Sequence, residues 1–512
     1  MKSHISRFRW PMRGLMAMTL ALVFALSSTM LAFASVPVLQ ISSDPFTNSP
    51  TSNTLYDQHK TEVEPDTLAV GSTFVSTFQV GRVFDGGASD VGFATSTDGG
   101  STFTEGLLPG TTSFSTPTGS YARVSDASVA FDASHGVWLI SFLGLFPNGK
   151  TSEVDVLVSR STDGLTWSNP VVVNNDGHFN DKNWTVCDNS ASSPHQGNCY
   201  TEFDDNSLGD LIQMSTSHDG GLTWGAGQAT ANNAHGIGGQ PLVQPNGNVI
   251  VPINGFTGGP GVNLLVVAFT STNGGTSWSK TNIVARVAFH HAAGGIRDSI
   301  SLPSAEMDAS GKVYVVWQDC HFEPTCNASD LVLSTSTDGK SWSKVTRIPL
   351  DPRGSGVDHF IPGLAVDRST SGSSAKLAVT FYFYPNANCT AATCQLDVGF
   401  STSSDGGASW TPNTQINTIP MILSWLPNTT QGRMVGDYIS TSFVGGPAFP
   451  AFAVASAPSS GGSDCFTAAP NCNQPTFTVT GGLKVGGKTN AATDQTNAGS
   501  NIMPTSGSLT AQ

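Results

Sequence analysis

The chain has 512 residues, of which 38% are hydrophobic and only 12% charged, with 55 glycines. That balance describes a turn-rich globular protein and excludes a disordered chain, a fibre or a helical bundle. A net charge of −14 at pH 7 argues against nucleic acid as a partner, because phosphate binding needs a basic face.

At the N-terminus Lys2, Arg7, Arg9 and Arg13 precede an apolar run from Leu15 to Leu26, and Ala32-Phe33-Ala34 supplies small residues for cleavage. Residues 1–34 therefore read as a secretory signal peptide, since the run is shorter than the roughly 20 residues of a spanning helix. The expected product is secreted and extracellular, with no membrane span after signal cleavage. All eight cysteines follow this segment and fall into close pairs, Cys187/Cys199, Cys320/Cys326, Cys389/Cys394 and Cys465/Cys472. Such spacings predict four local disulfides in an oxidising compartment. No pair is CxxC and no histidine sits at finger spacing, which disfavours metal ligation.

One short pattern then recurs six times, first as Ser96-Thr97-Asp98-Gly99-Gly100-Ser101-Thr102-Phe103 and last as Ser403-Ser404-Asp405-Gly406-Gly407-Ala408-Ser409-Trp410. Its acidic or amide position is Asp98, Asp163, Asp219, Asn273, Asp338 and Asp405, at separations of 65, 56, 54, 65 and 67 residues. A period of this size signals a repeat architecture. Each unit reads as a hairpin turn in which the carboxylate accepts turn amides and glycine supplies positive φ. The closing Trp or Phe is an apolar plug between sheets. These six boxes are expected to be structural.

A second pattern of paired apolar strands with a polar opening lies between the boxes. It occupies 64–70 with 74–80, 126–131 with 137–142, 181–186, 239–243 with 249–253, 302–307 with 313–317, 361–366 with 377–381, and 436–439 with 449–455. Seven strand pairs and about four strands per unit predict an all-β chain, a β-propeller of seven four-stranded blades, with six blades as the alternative. The seventh unit has no box; residues 476–480 would be its third strand and 36–42 its fourth, closing the ring. The propeller domain is expected over 35–481, and 482–512 form a Gly/Thr/Asn/Ser-rich tail.

The six boxes resemble the Asp-box (bacterial neuraminidase repeat) proteins of the sialidase-like superfamily, over essentially the whole mature chain. The resemblance implies a propeller fold; such propellers include sialidases, other glycosidases and non-enzymatic binding factors. Functional groups would come from the polar starts of the innermost strands: Glu64, Asp66, Arg123, Asp126, Asp181, Lys182, Gln240, Arg297, Asp298, Asp358, His359, Arg433, Asp437 and Tyr438. Arg82, Asp319 and His321, which follow second strands, would face the same side.

In sialidases three arginines grip the substrate carboxylate, a Tyr is the nucleophile and an Asp the acid/base. The resemblance thus implies Arg123, Arg297 and Arg433 as carboxylate ligands, Asp126 as acid/base and Tyr438 as nucleophile. No Glu stands out as the activator of Tyr438. Arg347-Ile348-Pro349, an Arg-Ile-Pro sequence found in sialidases near the first blade, falls here after the fifth box on an expected outer strand. The implied activity is exo-glycosidic hydrolysis of a terminal acidic sugar in a carbohydrate or glycoconjugate. The alternatives are a non-catalytic propeller that binds glycans or proteins, and a glycosidase using a carboxylate pair such as Asp66 and Asp181. A monomer with no required cofactor is expected; Ca²⁺ could be held by clustered acids, but no EF-hand-like spacing indicates it.

Overall fold

The computed structural model describes residues 36–47, 57–146, 153–257, 264–458, 463–466 and 472–486. The expected signal peptide and all of the tail beyond 486 lie outside these residues. Antiparallel sheets dominate, and the helical segments among the described residues are single 3-10 turns.

Among the described residues, alternating and doubly apolar runs produce seven main sheets in chain order, besides one short two-stranded hairpin. The first comprises Asp57–Val70, Thr73–Val83, Ala88–Ser96 and Thr104–Leu107. Arg123–Asp132, Val137–Leu145, Val154–Ser161 and Val171–Asn174 form the second, joined to the first by the single pairing of Ala88 with Val124. The third holds Asn180–Cys187, Cys199–Asp205, Leu211–Ser217 and Gln228–Ala229. In the fourth, Leu242–Val243 and Gly236–Ile237 both pair with Val249–Gly255, followed by Leu265–Ser271 and Asn282–Arg286. Ser304–Met307, Val313–Asp319, Asp330–Ser336 and Thr346–Arg347 make the fifth. Asp358–Val366, Leu377–Tyr384, Gln395–Ser403 and Thr414–Gln415 make the sixth.

The seventh sheet is assembled from both ends of the chain. Ser440–Phe443, Ala448–Ala453 and Thr476–Val479 accept Val38–Gln40 as the fourth strand, with Val38 opposite Val479 and Gln40 opposite Phe477. This is the pairing that the strand count anticipates. Pairing continues past residue 481, where Leu483 exchanges two backbone hydrogen bonds with Ala448.

The apolar core lies between successive sheets, where facing side chains interdigitate. Val75, Val91 and Phe93 of the first sheet pack on Val129, Ile140 and Phe142 of the second. Tyr200 and Met214 of the third meet Val249, Val251 and Phe269 of the fourth. The leading strand of each sheet also lies beside that of the next, and the seventh lies beside the first. Phe74 of the first sheet packs with Val444 and Phe449 of the seventh.

All six boxes occupy the turn between the third and fourth strands of their sheets. In the first, Ser96 Oγ donates to Asp98 Oδ1 at 2.7 Å and accepts Gly100 N–H at 2.8 Å, while Asp98 Oδ1 accepts the amides of Ser101 and Thr102 at 3.0 and 2.9 Å. Asn273 does the same work through Oδ1, taking the Ser277 amide at 3.1 Å. Gly100 has φ 85°, and a Cβ there would meet the Phe449 ring at 2.3 Å, so glycine is required twice over. The closing aromatics reach back to the preceding sheet: Trp167 lies 5.8 Å from Phe93 and Trp278 6.1 Å from Tyr200. Each box thus holds its own turn through local hydrogen bonds.

The four expected disulfides are all present, Cys187–Cys199, Cys320–Cys326, Cys389–Cys394 and Cys465–Cys472. Among the described residues no helix is long and apolar enough to cross a membrane.

Candidate functional site

The leading strands share a local irregularity that places their polar starts. Register shifts at Val63/Asp66, Ser125/Ser128, Asp181/Trp184 and Phe360/Gly363 mark a bulge in the first, second, third and sixth sheets. The bulged residue has positive φ each time: Glu64 at 55°, Asp126 at 50°, Lys182 at 48° and Ile361 at 52°. The fourth and seventh sheets use Gly238 and Gly436 near the same place. A side chain in this conformation costs about 1–2 kcal/mol, so its presence in four sheets points to a gain elsewhere.

For three of the four, Glu64, Asp126 and Lys182, that gain is a buried ion cluster. Lys182 Nζ lies 2.8 Å from Asp126 Oδ1, 2.7 Å from Asp437 Oδ2 and 3.3 Å from Glu64 Oε1. One ammonium from the third sheet thus gathers carboxylates from the second, seventh and first. Arg297 Nη2 pairs with the same Asp437 oxygen, and Gln79 Nε2 donates to Glu64 Oε2. The Asp437 amide donates to Glu64 Oε1 at 3.1 Å.

The electrostatics divide these acids. Burial pushes Glu64 up to about 7, even against the opposing pull of Lys182. Burial also lifts Asp181 to about 6, with Asp126 adding to the effect. Burial acts on Asp437 too, but Arg297 and Lys182 outweigh it and hold that carboxyl well below its usual range. For Lys182 desolvation is overcome by Asp126, Asp437 and Glu64, and the ammonium is held on. Carboxyls whose surroundings push them apart in this way suit acid and base roles.

Above the cluster opens a cavity of about 530 Å³, lined by Glu64, Asp126, Asp181 and Lys182 together with Arg82, Arg123 and Arg297. At the far ends of the leading strands a second cavity, about 620 Å³, is lined from all seven sheets, for example by Leu68, Val129, Thr185, Leu242, Ala305, Leu364 and Thr441. Between the two only about 20 Å³ is left, beside Trp184 and Tyr438, whose rings meet edge to face at 5.2 Å.

The five residues that the sequence singled out for chemistry are distributed as follows. Asp126 sits in the cluster, its other oxygen accepting Ser125 Oγ at 2.6 Å. Arg297 and Arg123 line the upper cavity, and Arg123 Nη1 contacts Asp85 at 2.6 Å and the Gly86 carbonyl at 2.8 Å. Arg433 does not line that cavity: its guanidinium donates to Asp464 at 2.6 Å and to the Leu426 carbonyl at 3.0 Å. Its backbone carbonyl instead accepts Arg297 N–H at 2.7 Å. Tyr438 is 7% exposed, its ring 5.4 Å from Lys182 Nζ and its hydroxyl donating to the Ala127 carbonyl at 3.1 Å. Burial, reinforced by Glu64, drives its phenol well above the ordinary value.

Glu64, Asp437, Arg82 and Lys182 carried no assigned role in the sequence reading. Arg82 is 4% exposed, lowered to about 10 by burial, and hydrogen-bonded to the Val83 carbonyl at 2.8 Å. Lys182 is the hub. The bulge position it shares with Glu64 and Asp126, just ahead of each apolar strand, was the available signal.

Residues 145–363 match the family described as the BNR repeat-like domain, a stretch holding the boxes of Asp163, Asp219, Asn273 and Asp338. The resemblance to Asp-box proteins of the sialidase-like superfamily is borne out there. No curated protein matches the chain. Among solved structures it is similar to the Hadza microbial sialidase Hz136, at 13% identity over 77% of this chain and 64% of that one, TM-score 0.40. A polysaccharide lyase, the ulvan lyase of family PL25, aligns at 11% identity over 84% and 96%, TM-score 0.49. The NanB sialidase from Streptococcus pneumoniae aligns as its K499G mutant at 13% over 86% and 70%, TM-score 0.42.

Proposed function

We propose that the seven sheets are the blades of one closed β-propeller and that the chain is a secreted, sialidase-like exo-glycosidase for a terminal acidic sugar. One observation carries this reading: three guanidinium groups and several buried carboxyls line a single cavity at the starts of the leading strands. Planar guanidinium groups match a sugar carboxylate in bidentate fashion. Arg82, Arg123 and Arg297 are the proposed ligands, with Arg433 fixing Arg297 through its backbone.

Hydrolysis of a glycosidic bond needs one carboxyl to give a proton to the leaving oxygen and another group to assist attack at the anomeric carbon. Glu64, whose hold on a proton burial strengthens, is the proposed proton donor. Asp126 is the partner carboxyl, oriented by Lys182 and Ser125. Tyr438, with its hydroxyl turned to Ala127, seals the floor of the cavity; as nucleophile it would first have to leave that bond.

A second reading, a propeller that binds acidic glycans without turnover, draws support from the same geometry. Arg123 and Arg297 each already hold an acid, Asp85 and Asp437.

Turnover of fluorogenic sialosides and hexuronides by the purified chain separates the two. Hydrolysis that falls by at least about 10²-fold in both Glu64→Gln and Asp126→Asn supports catalysis. Saturable binding of the acidic sugar without turnover would establish the second reading, and neither would remove both.

A further inference from the structure

We infer that Asp330, Asp351 and His359 form a binding site for a divalent transition cation, Zn²⁺ foremost, at the junction of the fifth and sixth sheets. The site is separate from the axial cavity. Asp330 opens the third strand of the fifth sheet, His359 stands at the start of the sixth sheet's leading strand, and Asp351 lies in the connection between the sheets. Their ligand atoms all lie within 4.8 Å of one another. Atoms bound to one tetrahedral zinc at roughly 2.0–2.2 Å stand about 3.4 Å apart, so a contraction of about 1 Å would let all three reach one ion.

The hydrogen bonding is what demands a cation. His359 Nδ1 lies 3.2 Å from the Ser329 carbonyl, an acceptor, so Nδ1 carries the proton and Nε2 presents a bare lone pair. Nε2 is buried with no hydrogen-bond partner, on a side chain only 1% exposed. It faces Asp351 Oδ1 across 4.0 Å. Asp330 Oδ2, on a residue 2% exposed, is likewise buried and without a partner. A bare imidazole nitrogen facing a carboxylate oxygen in a dry pocket is repelled by it. A proton cannot bridge 4.0 Å, but an ion bonded to all three can.

The surroundings are those of a metal centre's outer layer. Imidazole ligands are commonly fixed by a backbone carbonyl on the other nitrogen, as Ser329 does here, and ligating carboxylates are held in turn. Arg347 holds both: Nε donates to Asp330 Oδ1 at 2.7 Å and Nη2 to Asp351 Oδ1 at 2.8 Å. This is the arginine of the Arg-Ile-Pro sequence, and it does lie on the outer strand of the fifth sheet. Two carboxylates and Arg347 leave one net negative charge for the incoming ion. One imidazole nitrogen with two carboxylate oxygens favours zinc over calcium, whose sites are all oxygen. The second cluster of ligand type, Asp176, His178 and Asp205, is no equivalent: His178 is only half-buried and its Nδ1 is already bonded to Asp205 at 2.6 Å. It provides the control.

The test uses the full, tag-free chain stripped with a chelator and titrated with Zn²⁺ by calorimetry, then with Co²⁺ while its visible absorption is followed. One ion per chain is expected, with a cobalt spectrum carrying a nitrogen ligand. Affinity should fall by about tenfold or more in Asp351→Asn and His359→Gln and stay unchanged in His178→Gln. Asp351 is the more exposed partner, so its variant keeps the test alive should His359→Gln not fold. Failure of the wild type to bind zinc, unchanged affinity in Asp351→Asn, loss in His178→Gln, or preference for Ca²⁺ would each overturn the assignment.

Discussion

Positive φ recurs at two kinds of place, the box turns of six sheets and the bulges of the leading strands, and the two differ in what fills it. At the box turns glycine takes that conformation, as at Gly100, Gly164 and Gly221, and the neighbouring carboxylates are exposed and hydrogen-bonded locally. Their acidity is raised: amide donors hold Asp163 and Asp338 below the usual carboxylate range. At the bulges of the leading strands Glu64, Asp126 and Lys182 take it instead, and burial moves carboxyls such as Glu64 the opposite way. The turn recurs in six sheets with the same serine-to-amide bonding, one residue shorter at Asp163 and Asp338, because each of those sheets needs the same shape. The bulge differs from sheet to sheet because its side chains meet one another across the sheets.

Substitutions at the two places should therefore diverge, and the largest effect is expected at the hub. Lys182→Ala leaves three buried carboxylates without their shared cation and should lower stability by on the order of 5 kcal/mol. Denaturant unfolding measures this, and a loss under about 1 kcal/mol would mean that the ammonium is not what holds the bulges. Next comes a box aromatic: Trp278→Ala, removing a side chain 3% exposed, should cost about 3 kcal/mol through the cavity left between sheets. Its effect on affinity for an acidic sugar should be negligible, whereas that of Lys182→Ala should be large.

Acidity supplies a third contrast. Burial raises Glu64 and Asp66 to about 7 and Asp90 to about 8 in the folded protein, against roughly 4 in an unfolded chain. The folded state binds more protons between these limits, so stability falls as pH rises through about 5 to 8 and is recovered on acidification. The box carboxylates act oppositely, losing their contribution only below about pH 4. A melting temperature higher near pH 5.5 than near pH 8 is expected, and a flat profile would show that these acids are not desolvated as described. The smallest effect is Asp338→Asn. Asn273 already fills this position in the fourth box, so the melting temperature should scarcely move.

What could be read from the sequence follows the same division. The boxes, the disulfide pairs, the strand pairs and the completion of the last sheet by the expected N-terminal segment, at Val38–Gln40, were legible because each is local or periodic; the seventh leading strand was not, and lies at Ser440–Phe443 instead of 436–439, where the chain around Gly436 is irregular. The cluster was not. Glu64, Asp126, Lys182 and Asp437 all belonged to the polar starts of strands, but nothing in their spacing says that four sheets aim them at one point. Arg433 illustrates the limit: it falls at the expected place in the chain, yet sits on the short hairpin of Asn428–Thr429 with Gly432–Arg433 and turns to Asp464. Arg82, from the second strand of the first sheet, faces the cavity instead.

The union of Val38–Gln40 with Thr476–Val479 has a consequence for biogenesis. Val38–Gln40 cannot take its place until Thr476–Val479 has been made, so the last sheet is completed only after every strand between them has been synthesised. It also brings the two ends of the domain together, so a circularly permuted gene that joins them by a short linker and opens a surface loop elsewhere should still yield the same molecule.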